Sequence, residues 1–592
     1  MKGFFKTFLA TLVAMFVFSA ISSIFSFIIL LGIIGMGNTQ PTLPEEGVLK
    51  IDMSTFVLTE QSIEADPLDA LMNGDQMIAN VGIWDAVQSI NTAAKDPGVK
   101  FIYLLPDMAM GGTAQLEEFR VALQNFRNSG KPIISYIENP TNAGYYLASV
   151  SDKIYMTPYD GGMNMFCGVS SQMIFLKDIL DKMGVNVQLI RHGKYKSAGE
   201  MFIRNSSSPE NLEQNQALVS SIWESWGTTI AQSRNMTFDN LNGLLNDLKL
   251  NFPSDFVKEG LADETLSREE LADKLATQYY ANSVNDVQYM GFADYVAVQR
   301  NVFNTSDKKI AVIFADGEIV DGKQKEQVAG DHFAQVISEI RADESVKAVV
   351  LRVNSPGGSV LASEKIKAEL DLLRERVPVI ASYGAYAASG GYWISANTDY
   401  IFSNASTLTG SIGVFSMIPD LSGTVKDKLH VTVTPVNSNK HSDMYSLMRP
   451  LDGDEKAYMQ ASVEKIYNKF TSLVANGRGM TVENVDNIAQ GRVWSGAEAL
   501  EIGLVDQIGT LEDAINYAAQ CIEGVTSLDE VNVECYPRPL TTMELLLESL
   551  EGSTAVFEGT ALKNIEIAYT ANSGWVKKIG LDSMKIFLNG NN

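Results

Sequence analysis

The chain repeats itself, and that duplication limits its fold more than any single motif does. The apolar run V-K-F-I-Y-L-L from Val99 returns as V-K-A-V-V-L-R from Val346, and glycine pairs follow both, Gly111-Gly112 and Gly357-Gly358. K-P-I-I-S-Y from Lys131 matches V-P-V-I-A-S-Y from Val377, and N-A-G-Y-Y-L-A-S from Asn142 matches A-S-G-G-Y-W-I-S from Ala388. The openings at Val48 and Ile310 and the closings at Glu259 and Ile502 also correspond. Amphipathic stretches, Leu116 to Phe126 and Ala362 to Leu373, alternate with the strand-like runs, which predicts an α/β fold with a largely parallel sheet in each copy. Helical stretches at Pro209 to Arg234 and Asp454 to Asn476 are long enough to pack between the halves. The resulting division is a stub and anchor (1–37), an N-terminal repeat (38–305) joined through the charged segment from Glu264, a C-terminal repeat (306–525) and a tail (526–592) with an apolar patch at Met543 to Leu550.

The first segment has its own constraint. Phe8 to Met36 contains no charged residue, and as a helix it would run about 44 Å against a bilayer core of about 30 Å. That is longer than the apolar region of a cleaved signal peptide, so it is expected to be a retained transmembrane helix. Lys2 and Lys6 precede it, which places the N-terminus in the cytoplasm and Gly37 onward outside. A net charge of −25 argues against a nucleic-acid partner, which would need a basic face. Three cysteines and four scattered histidines suggest neither a disulfide framework nor a metal site, and no cofactor is expected.

The copies differ where chemistry would sit. Ser389 lies between a short apolar strand, Pro378 to Tyr383, and a helix opened by Gly390-Gly391, where backbone N–H groups and the helix dipole would stabilise an oxyanion. A serine there is also an ordinary helix cap. With Gly390 set opposite Gly144, Ser389 falls opposite Ala143. The same offset puts Lys194 opposite Lys440 but Lys196 opposite Ser442. One copy holds a serine without the lysine and the other the reverse, which a shared active site explains. A serine nucleophile needs a base, and a buried lysine held neutral can serve. His192 is the competing base, and His441 has no complementary partner. N-S-P-G-G-S, Asn354 to Ser359, follows a buried strand and offers glycine N–H groups toward an oxyanion, with the amide of Gly390 as a second donor. In T-L-T-G-S-I-G-V, Thr407 to Val414, Ser411 could orient the lysine. The motif G-x-S-x-G is absent, which counts against an α/β-hydrolase.

Together the anchor, the tandem repeat, Y-K-S-A around Lys196, N-S-P-G-G-S, A-S-G-G-Y-W around Ser389 and T-G-S-I-G-V around Ser411 resemble the signal peptide peptidase A family in its long, duplicated form, from the anchor to about residue 520. The resemblance implies crotonase/Clp-protease-like domains and a Ser/Lys-dyad serine protease, with Ser389 as nucleophile, Lys196 as general base, Ser411 orienting the lysine, and Gly358 and Gly390 as oxyanion donors. It also implies a homotetramer on the outer face of the bacterial inner membrane that cuts signal peptides and other apolar peptides. Two other readings share features of the sequence. One is a crotonase-type acyl-transfer enzyme, made improbable by the extracytoplasmic placement; the other is an inactive envelope scaffold in which Ser389 is only a cap.

Overall fold

A computed structural model describes residues 41–62, 78–300, 306–325 and 327–538, with isolated helical positions before residue 19. Apart from those positions the expected anchor, Phe8 to Met36, lies outside the described residues, as does the tail beyond residue 538. Among the described residues no helix is long and apolar enough to cross a membrane.

The duplication is visible as topology. In the first repeat the strands run in the order Glu264–Thr265, Lys153–Met156, Ile133–Ile137, Val99–Leu105, Gly47–Asp52 and Tyr289–Gly291, all parallel. The second repeats that order with Gln507–Ile508, Tyr400–Ser403, Val379–Ala388, Val346–Ser355, Lys309–Asp316 and Asn532–Tyr536. The closing strand of the second sheet is therefore drawn from beyond residue 525. Strands such as I-A-V-I-F-A and A-V-V-L are apolar at successive positions because both faces of a parallel sheet are covered. Ile310 through Ala315 are accordingly all buried.

The helices Ile83–Lys95 and Thr113–Asn128 carry their apolar faces into one core that includes Ile102 and Leu104 of the first sheet and Val312, Val350 and Ile380 of the second. The two repeats thus share a core. An ion-pair cluster is buried in the same interface. Arg352, fully buried, donates to Glu60 (2.7 Å) and Glu118 (2.8 Å) of the first repeat and to Ser382 Oγ and the Tyr383 carbonyl of the second. Gln115 and Asn404 donate to the same two carboxylates. Burial works against the guanidinium charge, and the two acids outweigh it and raise its pKa.

The long helices span the repeats as expected. Pro209–Ser233 receives the Val493 amide on Gln214 and sets Ser221 against Ser495, while the segment entering Gly453–Arg478 sends the Leu451 amide to Gln188. An antiparallel ribbon absent from the sequence reading also joins them, pairing Asn186–His192 with Val414–Asp420.

Candidate active site

The strand Val379–Ala388 is longer than its apolar half predicts because it forks. Ile380 to Tyr383 pair with Tyr400–Ser403, whereas Tyr386 to Ala388 pair with Leu408–Gly410. The fork carries the chain past the sheet edge to Ser389, directly before the helix Gly390–Ser395. That helix is seated by Tyr392 and Trp393, 0% and 2% exposed, each ring contributing about 1.5–3 kcal/mol through burial. Ser389 is not an ordinary cap: its side chain makes no capping bond, and its backbone sits at φ 54, ψ −115. The equivalent helix of the first repeat, Asn142–Ala148, is capped conventionally by Thr141, whose Oγ1 accepts from the Gly144 amide at 2.9 Å. A non-glycine residue at positive φ costs on the order of 1–3 kcal/mol. Here it is held by the Ser389 amide donating to the Gly410 carbonyl and by the Trp393 amide donating to the carbonyl of Ser389.

Lys196 arrives from the first repeat. The ribbon strand Asn186–His192 delivers a loop that docks on the turn Gln490-Gly491 of the second repeat, through Tyr195 N–H to the Gln490 carbonyl at 2.9 Å. Gly491, at φ +78, is needed there, since a Cβ would stand 2.6 Å from Lys196 Cβ and 2.7 Å from its nitrogen. Lys196 is 5% exposed. Its Nζ lies 3.1 Å from Ser389 Oγ and donates to Ser411 Oγ at 2.9 Å and to the Ser411 carbonyl at 3.0 Å. Among the described residues no carboxylate contacts it, and burial holds its pKa down at about 7. At pH 7 about half of the amines are then neutral, against fewer than about one in a thousand for a free lysine.

The glycine turn is brought to the same point. Gly357 (φ +99) and Gly358 (φ +153) allow no side chain: a Cβ on Gly357 would meet the Gly390 nitrogen at 2.5 Å, and one on Gly358 would meet the Ile319 carbonyl oxygen at 2.0 Å. Ile319 bonds to the Gly357 carbonyl and the Ser359 amide, so the Gly358 N–H faces away from it. A Cβ on Gly390 would lie 3.2 Å from the Gly358 nitrogen, which places the two glycines side by side next to Ser389. A cavity of about 60 Å³ opens there between Gly358, Ser389, Val414, Phe415, Trp393 and Phe470.

The other sequence candidates lie apart from this constellation. His192 stacks on Tyr467 with ring centroids 3.9 Å apart. His441 pairs with Glu455 and stands close to Asp452, a grouping the scattered histidines did not suggest; Arg449 engages the same glutamate. Lys194 is exposed over the Tyr195 ring, Lys440 pairs with Asp454, and Ser442 is exposed. The offset that relates Ser389 to Ala143 has no structural counterpart at the lysine, because the segment opposite the ribbon strand in the second repeat is irregular. Lys196 and Ser389 do meet, but the offset that paired Lys196 with Ser442 in the sequence is not one that the fold shares.

Residues 125–282 and 371–525 match peptidase family S49, one match in each repeat. The chain is 34% identical to Protease 4 of Haemophilus influenzae over 516 residues, covering 84% of this chain and 83% of that protein. It is 34% identical to Protease 4 of Salmonella typhi over 551 residues, covering 89% and 87%. The chloroplastic serine protease SPPA of Arabidopsis thaliana is 29% identical over 491 residues, 81% of this chain and 72% of that protein. The two copies legible in the sequence, the repeated sheet order and the extent of these alignments have one common meaning: the chain belongs to peptidase family S49, as a long, duplicated serine protease of the signal peptide peptidase A type.

Proposed function

We propose that this chain hydrolyses peptides through a Ser389/Lys196 dyad with an acyl-enzyme intermediate. What supports it most is one contact: a buried lysine, with no acid partner among the described residues, 3.1 Å from the oxygen of a serine at the start of a helix. A neutral amine has two hydrogens and one lone pair. With both hydrogens directed to Ser411, the lone pair is left for the Ser389 hydroxyl proton, so Ser411 orients the base. Ser389 Oγ attacks the substrate carbonyl as its proton passes to Lys196, and the oxyanion is received by the N–H groups of Gly358 and Gly390. Lys196 then gives the proton to the leaving amine, later takes one from the water that opens the acyl ester, and returns it to Ser389 Oγ as the acid departs.

The apolar walls of the adjacent cavity favour apolar side chains next to the cut bond. Cleaved signal peptides are such substrates, and one relative, from Enterococcus faecium, is named a putative signal peptide peptidase. The uncharged run Phe8 to Met36 supports a single-pass anchor in a bacterial inner membrane with the catalytic part outside the cytoplasm. Assembly as a homotetramer follows from the family resemblance. The test is cleavage of an internally quenched apolar peptide by wild type, Ser389→Ala, Lys196→Met and Lys194→Ala. Activity is expected in wild type and Lys194→Ala only. Undiminished cleavage by Ser389→Ala would contradict the assignment.

A further inference from the structure

The base is held by its backbone as well as by its amine, and the groups doing so are charged. Arg191, the penultimate residue of the ribbon strand, donates through Nη1 to the Lys196 carbonyl at 2.7 Å and pairs with Glu200 at 3.3 Å. Glu200 is 1% exposed, and its other oxygen accepts from the Ser208 amide and from Asn211 Nδ2, at the first turn of the helix Pro209–Ser233. That helix is fixed to the second repeat through Gln214 and the Val493 amide, and Val493–Ser495 pairs with the strand that leads into Ser411. On the other side Arg191 stands opposite Phe415 in the ribbon, whose ring lies 5.8 Å from Lys196 Nζ. A continuous path therefore runs from the lysine carbonyl to the segment that binds its amine.

We propose that Arg191 is a positioning residue for the base: by tying the Lys196 carbonyl to Glu200 and the first turn of the helix Pro209–Ser233, it sets the reach of Nζ to Ser389 and keeps water out of the lysine loop. This rests on the reading of Lys196 as the base. With Glu200 buried and Arg191 28% exposed, this ion pair is a poor source of net stability, because desolvation of the acid offsets the attraction, whereas it is directional and fixes geometry. Displacement of a catalytic group by about 1 Å can cost about 10²-fold. The titratable and charged groups facing the loop are Lys194 within it, Arg191 and His192 on the ribbon strand, Glu200, Tyr195 and its partner Glu213, and, from the second repeat, Arg492, which lies over the Tyr195 ring and pairs with Glu213, and Tyr467 with Asp486. None of these contacts the amine.

The experiment is the pH profile of kcat/KM, with kcat and KM separated, for wild type, Arg191→Ala, Arg191→Lys and Glu200→Gln in the full-length protein, alongside thermal unfolding. Arg191→Ala is expected to lose about 10²-fold, carried by kcat, and to move the acidic limb upward by a unit or more as the loop hydrates. Arg191→Lys, which can still donate to the carbonyl, recovers part of both. If Arg191→Ala does not fold, Arg191→Lys and Glu200→Gln decide, each with a smaller shift in the same direction. Wild-type kcat with an unmoved acidic limb in the folded variants overturns the proposal. So does a loss that only tracks the fraction unfolded. Activity surviving in Ser389→Ala would instead sink the dyad itself.

Discussion

Replacing Lys196 with methionine keeps the length and removes the charge, and its effect on stability follows from how the lysine is buried. In the unfolded chain the amine titrates near 10.5, and in the folded protein near 7. Between those values the unfolded state binds more protons, so burial of this lysine costs most at low pH and the cost fades as pH rises toward 10.5. The penalty is about 4 kcal/mol at pH 7 and about 1 kcal/mol at pH 10. Methionine removes it but also removes two hydrogen bonds to Ser411, about 1 kcal/mol each. Lys196→Met is therefore expected to be more stable than wild type by about 2 kcal/mol at pH 7 and less stable by about 1 kcal/mol at pH 10. Urea unfolding of both proteins at the two pH values measures this reversal of sign. Equal destabilisation at pH 7 and pH 10 would mean that the lysine is solvated or paired with an acid, and the account of a neutral base would fail.

Other consequences can be checked separately. Arg352→Met strands Glu60 and Glu118 in the interface between the repeats and should cost about 3–5 kcal/mol in denaturant unfolding, with loss of activity because the serine and the lysine come from different halves. Gly358→Ala pushes a methyl group into the Ile319 carbonyl and displaces a proposed oxyanion donor; turnover should fall about 10²–10³-fold with little change in KM, and normal turnover would remove Gly358 from that role. Phe470→Ala enlarges the cavity beside Ser389 and should raise the preference for leucine over alanine next to the cut bond by about tenfold, read as a ratio of kcat/KM values.

Much of the fold was legible because it is local and repeated. Apolar runs covered on both faces gave the central strands, and the repeat gave the second sheet once the first was seen. What escaped notice depends on contacts between distant segments. Apart from Tyr386, the residues Gly384 to Ala388 are small and poor strand formers, yet Tyr386 to Ala388 are strand because Leu408–Gly410 pairs with them. The ribbon joining Asn186–His192 to Val414–Asp420 has no signal in either segment alone. Gly491 reads as an ordinary turn glycine, and only its approach to Lys196 shows why it has no side chain. Ser389, Lys196, Ser411, Gly358 and Gly390, each singled out from the sequence, lie together in the structure. Arg191 and Glu200 were missed, since a charged pair near a loop looks the same whether it lies on the surface or holds a buried carbonyl.

The central claim is that Ser389 is made nucleophilic by a neutral Lys196. Its most direct measurement is the rate at which a peptidyl phosphonate modifies Ser389, followed by mass spectrometry of the modified peptide from pH 5 to pH 10. The account predicts an adduct on Ser389 alone, a rate that rises with pH about a midpoint near 7, and no adduct in Lys196→Met. An adduct elsewhere, or one that forms on Ser389 equally fast without the lysine, would contradict it.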